Sequence, residues 1–152
     1  MHLVNEMKLV FASKSLNESF ARTTLAAFVA SLDPTISELA DIKTAVSEAV
    51  TNSIVHAYKD IVGLIYVTAQ IYSNGKIIIK IRDRGSGIEN VKKAMEPLFT
   101  TGGEERAGLG FAVMQSFMDK IRVNSKLGKG TTVTMEKILI PRGGSAQKND
   151  DT

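Results

Sequence analysis

Three short segments carry residue types suited to chemistry on a phosphorylated ligand. The first is Glu48-x-x-x-Asn52-x-x-x-His56. In a helix each step of four advances about 400°, so these side chains form a gently drifting track about 12 Å long. The track lies roughly 110° from the centre of the adjoining apolar stripe, at the border between core and outer surface. A carboxylate, an amide oxygen and an imidazole placed there can act as general base, Mg2+ ligand and phosphate contact respectively. The plainer alternative is a solvated helix flank. The second segment, Asp83-Arg84-Gly85-Ser86-Gly87, directly follows a β-rich run. Its glycines let the backbone turn sharply and approach a ligand, and the carboxylate beside them can accept from an exocyclic amine. An ordinary Asp/Gly turn would have the same composition. The third, Arg106-Ala107-Gly108-Leu109-Gly110-Phe111, stands where a polar loop enters a helix. Close backbone approach at Gly108 and Gly110, with amides exposed at a helix N-terminus, makes an anion site suited to phosphates. A helix cap is the alternative. The preceding loop, Pro97 to Glu105, has the glycines of a mobile lid.

Other nucleotide motifs are missing. There is no G-x-G-x-x-G and no G-x-x-x-x-G-K-[ST], which argues against Rossmann and P-loop readings. Cysteine is absent, so disulfides, thiolate zinc sites and a cysteine nucleophile are excluded, and any metal must sit on oxygen or histidine. Nineteen Lys and Arg against 16 Asp and Glu give a net charge of +3, with the cations interspersed among acids along the chain. That distribution lacks the stripe of a nucleic-acid footprint, so no direct nucleic-acid partner is expected. No apolar run approaches the roughly 18 residues of a membrane span, and the start has no basic and apolar leader. The reading is a soluble, unsecreted cytoplasmic protein.

The elements that must position these segments are legible from periodicity. Residues 7 to 12 read as a strand. Ser15-Leu16-Asn17-Glu18 reads as a capping box opening a helix to about Leu32, with Ala21, Leu25, Phe28, Val29 and Leu32 as its apolar stripe. Asp33-Pro34 supplies an N-cap and a first-turn proline for a second helix to about Tyr58. Its buried stripe is Leu39, Ile42, Val46, Ala49, Val50, Ser53, Ile54 and Ala57. Two β-rich runs, 64–72 and 76–82, flank Asn74-Gly75, a strong hairpin signal. A short helical stretch near 89–95, a helix from Gly108 to Asp119, and a hairpin of 121–126 with 131–139 complete the pattern. Early helices and later antiparallel strand pairs imply one α+β domain over 1–140, a two-layer sandwich with helices on one sheet face. The tail, 141–152, has no large apolar residue and reads as flexible.

The order E-x-x-x-N, D-x-G-x-G, G-x-G, each on the matching element type, resembles the Bergerat ATP-binding fold shared by gyrase, Hsp90, histidine kinases and MutL. Within that superfamily Asn5-Glu6-Met7, Asn17 to Arg22, Leu32 to Thr35, Ser47 to Asn52 and Pro97 to Thr101 are similar to the anti-sigma-F factor family of endospore-forming bacteria, which are serine-protein kinases. The resemblance covers about residues 5 to 137. Arg84 stands where that family usually has an acid and Ala107 where serine is common, and the lid is about one residue shorter. None of these departures removes a candidate catalytic group.

The resemblance implies a mixed, mostly antiparallel sheet and an ATP and Mg2+ site. On these positions it makes Asn52 the Mg2+ ligand, Glu48 the general base and Asp83 the adenine contact. Gly85 and Gly87 form the first glycine box, Gly108 and Gly110 the second, and Thr131 and Thr132 line the adenine pocket. His56, Thr100, Thr101 and Arg106 are further candidate nucleotide contacts. It also implies two jobs: sequestering a sporulation sigma factor, as a homodimer, and transferring the γ-phosphoryl group of ATP to a serine of an anti-anti-sigma protein. A nucleotide-gated sigma-binding module without physiological transfer is the alternative. A detached histidine-kinase domain would need a phosphoacceptor His on a dimerisation helix, and neither His2 nor His56 reads as one. Arg22 is the candidate on the shared partner surface. Phe20 falls roughly 120° off its helix stripe, and either packs under the first strand or meets a partner.

Overall fold

The computed structural model describes residues 1–95 and 103–140, with 103–109 as backbone only. Five strands form one sheet: β1 (Leu3–Ala12), β2 (Leu64–Tyr72), β3 (Lys76–Asp83), β4 (Lys120–Lys126) and β5 (Gly130–Ile138), in the order β1-β2-β3-β5-β4. Every neighbouring pair is antiparallel, so the mixed component expected from the sequence is not found among the described residues. Strict alternation explains the sheet. Along β3, Ile77, Ile79, Ile81 and Asp83 are buried, while Lys80 and Arg82 face out. The Asn74-Gly75 turn joins β2 to β3, with Gly75 at φ 85°, a backbone conformation that favours glycine.

The helical layer packs on the Ile77–Ile81 face. It comprises α1 (Leu16–Val29) with a 3-10 turn over Ala30–Leu32, α2 (Ile36–Asn52), the short α3 (Val91–Met95) and α4 (Gly103–Phe117). Between these helices and the sheet lies one core in which Leu25, Ile42, Ile79, Phe111 and Met114 are almost completely buried. The expected stripe of α2 is confirmed at Ile42, Val46, Ala49, Val50 and Ser53. Leu39, Ile54 and Ala57 are only half-buried, and Ala45 joins the core.

The helix starts differ from expectation for identifiable reasons. Ser15 makes no side-chain cap, because it is already helical (φ −57°, ψ −31°) and its carbonyl accepts from Glu18 N–H at 3.2 Å, while the Glu18 side chain accepts from Ser47 Oγ on α2 and lies 3.9 Å from Arg22. Asp33 is left-handed, with φ 49°, so Asp33-Pro34 is a turn and not the cap of α2. Thr35 is that cap: its Oγ1 accepts from Glu38 N–H at 3.0 Å, and Glu38 Oε1 accepts from Thr35 N–H at 2.8 Å. The capping box was present as Thr35-Ile36-Ser37-Glu38, two residues downstream of the more conspicuous Asp-Pro signal. The second helix also changes character before Tyr58. After Asn52 it widens into one π-turn, Ser53–Ala57.

Candidate functional site

An open cleft lies between the end of α2, the π-turn, the loop after β3 and strand β5. Asn52, Ser53, His56, Asp83, Gly87 and Thr131 are among its lining residues. The π-turn explains how one helical segment supplies so many of them. An i→i+5 turn rotates less per residue than an α-turn, so Asn52, Ser53, His56 and Ala57 stay on one side.

Asp83 is the electrostatic centre. It is 5% exposed, and its Oδ1 accepts from Gly85 N–H at 3.0 Å and from Thr131 N–H at 3.2 Å. Its Oδ2 accepts from Ser53 Oγ at 3.0 Å. Burial pushes the Asp83 carboxyl above its ordinary range, and these three donors pull against that shift. The donor cage fixes the carboxylate so that its remaining lone pairs point to the cavity, where an amine donor on a ligand would satisfy them. The backbone around Asp83 is held from below. Tyr58, 5% exposed, accepts from Arg84 N–H at 2.6 Å and donates to Leu64 O at 2.8 Å, and Ser86 N–H donates to Ala57 O at 2.9 Å. Gly85 is required because a Cβ there would meet Ala57 O at 2.3 Å. Gly87, at φ 74°, presses on Lys126 O in the same way. These two glycines therefore serve close packing of the loop against the π-turn and the β4–β5 hairpin. Sequence reasoning missed Ser53 as a partner of Asp83 and Tyr58 as the strut of the loop. Ser53 read only as a small residue of the apolar stripe, because a hydroxyl's partner 30 positions away leaves no local signal.

Asn52 Nδ2 is buried without a hydrogen-bond partner. An unsatisfied buried N–H group costs about 1–3 kcal/mol, and because Nδ2 is a donor only an acceptor can satisfy it, whereas a cation would bind the oxygen of the amide. Gly110 makes room for it: a Cβ at Gly110 would lie 2.9 Å from Asn52 Nδ2 and 3.1 Å from Oδ1. Gly110→Ala is therefore expected to push the Asn52 side chain off its place. It should weaken nucleotide affinity about tenfold while stability holds or rises, since Ala is favoured over Gly inside a helix by up to about 1 kcal/mol. Titration calorimetry beside thermal melting checks both halves.

The other expected residues fall unevenly. Glu48 is half-buried one turn before Asn52 and is not among the residues lining the cavity. Thr132 is half-buried on β5, paired with Arg82 and Asn124, one pleat away from the cavity-lining Thr131 and Val133. The structure does not bring Thr132 into the pocket, because neighbouring residues on a strand face opposite ways. α4 begins at Gly103, so Gly108 and Gly110 lie inside the helix and not at its N-terminus as the sequence suggested. The polar loop before Gly108 contributes its last residues to that helix. Thr100 and Thr101, and the side chain of Arg106, lie outside the described residues, as does most of the lid segment. Among the described residues no cluster of three or more His, Asp or Glu could hold a metal ion, so a cation here would need ligand oxygens in addition to Asn52. No helix among the described residues is long and apolar enough to cross a membrane.

A two-layer sandwich whose cavity joins a helix amide to a caged β3 carboxylate is consistent with an ATPase domain of histidine kinase type. Residues 12–137 match the Histidine kinase-like ATPase domain family. The chain is 61% identical to an Anti-sigma F factor of Caldanaerobacter subterraneus over 91% of its own length and 97% of the relative's. It is 53% identical to an Anti-sigma F factor of Clostridium kluyveri over 89% and 95%. The RsbU and RsbW domains of a Mycobacterium tuberculosis protein share the fold, with a TM-score of 0.66 at 22% identity over 90% of this chain and 33% of that one. The chain belongs to the anti-sigma F factor family of histidine kinase-like ATPase domains.

Proposed function

We propose that this protein binds ATP with Mg2+ in the Asn52–Asp83 cavity, captures a sporulation sigma factor of the F type, and phosphorylates a serine of an anti-anti-sigma protein. The observation that carries the reading is one cavity lined by both a caged, buried carboxylate and a half-buried Asn52 whose Nδ2 has no partner, in a chain 61% identical to an Anti-sigma F factor. Asp83 accepts from the adenine amine, and Thr131 beside it lines the base pocket. Asn52 is the residue that would hold Mg2+, an ion that when bound neutralises charge on the phosphate oxygens. His56 faces the same cavity on the phosphate side of Asn52. Glu48 takes the proton of the incoming serine hydroxyl as its oxygen bonds to the γ-phosphorus and the bond to ADP breaks. With so few groups, catalysis rests on positioning and charge stabilisation.

The protein acts as a homodimer in the cytoplasm. Gated capture predicts that immobilised protein retains the sigma factor with ATP and releases most of it with ADP. Equal retention with either nucleotide would contradict the gating.

Arg22 is placed on the partner surface. It stands half-exposed on α1, 3.9 Å from Glu18 and 3.3 Å from Ser19 Oγ. Phe20, on the same helix, is 53% exposed, so it does not pack under β1 and is open to a partner. Arg22→Glu is expected to weaken both protein complexes about tenfold or more, roughly 1.4 kcal/mol, with ATP affinity unchanged. Normal binding of both partners by that variant ends the assignment.

A further inference from the structure

The sheet face opposite the helices carries a concentration of positive charge that the linear sequence hides. Register places Lys80 and Arg122 on either side of Thr134, and Arg82 beside Thr132. In the next row Lys126 pairs with Gly130, whose other flank packs against the backbone of Arg84. All five cations are exposed. They form two columns, on β3 and β4, separated by β5 and therefore about 9.5 Å apart, with rows repeating about every 6.8 Å. The floor between the columns is β5, with Thr132 half-buried and Thr134 and Gly130 buried. The acids on this face lie outside these rows and are engaged: Glu136 pairs with Lys76 at 3.4 Å, and Glu6 accepts from Gln70 Nε2 at 2.6 Å. The guanidinium groups of Arg82 and Arg84 lie 4.8 and 5.1 Å from the centroid of the Tyr66 ring, which holds them flat on the sheet.

We infer that this trough binds the backbone of single-stranded nucleic acid, independently of the nucleotide cavity on the helical side. Charge complementarity selects a polyanion. A second copy of the chain related by two-fold symmetry would bring cation against cation. A protein partner is disfavoured because the trough between the β3 and β4 columns holds no apolar anchor, Tyr66 and Val10 of this face standing beyond the β3 column, whereas protein interfaces centre on buried aromatic and aliphatic side chains. A phosphodiester chain needs none: cations flank it, the Thr132 hydroxyl donates to its oxygens, and bases stack on guanidinium planes of the kind that Tyr66 supports. The face reads charge and shape without base-edge contacts, so binding is sequence-tolerant and strongly dependent on salt.

The test is fluorescence anisotropy of labelled oligothymidylate and oligouridylate with the full-length protein across a salt series. Five phosphate contacts on a single strand give a slope of about −3.5 in log affinity against log salt, or about two decades lost between roughly 50 and 200 mM. Lys80→Glu combined with Arg122→Glu should weaken binding at least about tenfold, with ATP affinity retained as proof of an intact fold. Lys43→Glu, on α2, should leave oligonucleotide binding unchanged. Three results would each overturn the inference: no anisotropy change at low salt, an equal loss in the Lys43→Glu control, or displacement of the oligonucleotide by polyglutamate at equal charge concentration, which would mark the face as a site for acidic polypeptide.

Discussion

Asp83→Asn is expected to keep the fold and lose the nucleotide. The cage around Asp83 accommodates an amide: an oxygen at the Oδ1 position still accepts from Gly85 and Thr131 N–H, while an NH2 at the Oδ2 position donates to Ser53 Oγ, which turns its own proton towards Ala49 O at 3.4 Å. The adenine amine then meets a donor in place of an acceptor. A polar group left unpaired in such a pocket costs about 1–3 kcal/mol, or roughly ten- to a hundredfold in ATP affinity. Stability moves the other way. Burial raises the Asp83 carboxyl in the folded protein, so the ionised form detracts from stability above its titration range and the penalty fades as pH falls through that range. Near neutral pH the Asn variant should therefore melt at or above the wild-type temperature, and the difference should close in acid. Melting curves at neutral and acid pH, with calorimetric titration of ATP, measure both. A folded variant with wild-type affinity would displace the adenine site from Asp83.

The second large effect separates holding the nucleotide from using it. Glu48 lies outside the cavity lining, one turn from Asn52, so Glu48→Gln removes a charge without touching the cage around Asp83. ATP affinity and sigma capture should persist, while transfer to the acceptor serine falls by 10²–10⁴, the usual worth of a general base. Asn52→Ala acts earlier. It deletes the amide whose buried Nδ2 lacks a partner, so the apo protein loses little, whereas Mg·ATP binding and every nucleotide-dependent complex weaken. Transfer rate, ATP affinity and sigma capture, measured on both variants, give opposite patterns if the division of labour is right.

What the sequence disclosed was local or periodic. The β2–β3 hairpin followed from alternation around Asn74-Gly75, and most of the α2 stripe from its 3.6-residue period, because burial on one face imposes those patterns directly. Asn52, His56, Asp83 and Gly87 were visible by residue type and Thr131 through the family resemblance, and the fold brings them to one cavity. Contacts between distant segments were not visible. Ser47 donates to Glu18 on α1, Ser53 reaches Asp83, and Tyr58 holds the Arg84 backbone, none of which has a signature in its own neighbourhood. The π-turn after Asn52 also escaped, since the residues in it fit an α-helical period nearly as well. Pairing Thr131 with Thr132 as pocket residues ignored the two-residue alternation of a strand.

The most direct test of the account is phosphate transfer itself. The protein is incubated with Mg·ATP and the anti-anti-sigma protein, and the acceptor is mapped by mass spectrometry beside the Glu48→Gln and Asp83→Asn variants. Wild-type protein is expected to leave a phosphoserine on the acceptor, Glu48→Gln to lose most of the rate despite retained ATP binding, and Asp83→Asn to lose it through weakened ATP binding. An acceptor that stays unmodified while wild-type protein binds ATP and holds the sigma factor would contradict the kinase, and would leave a nucleotide-gated binding module in its place.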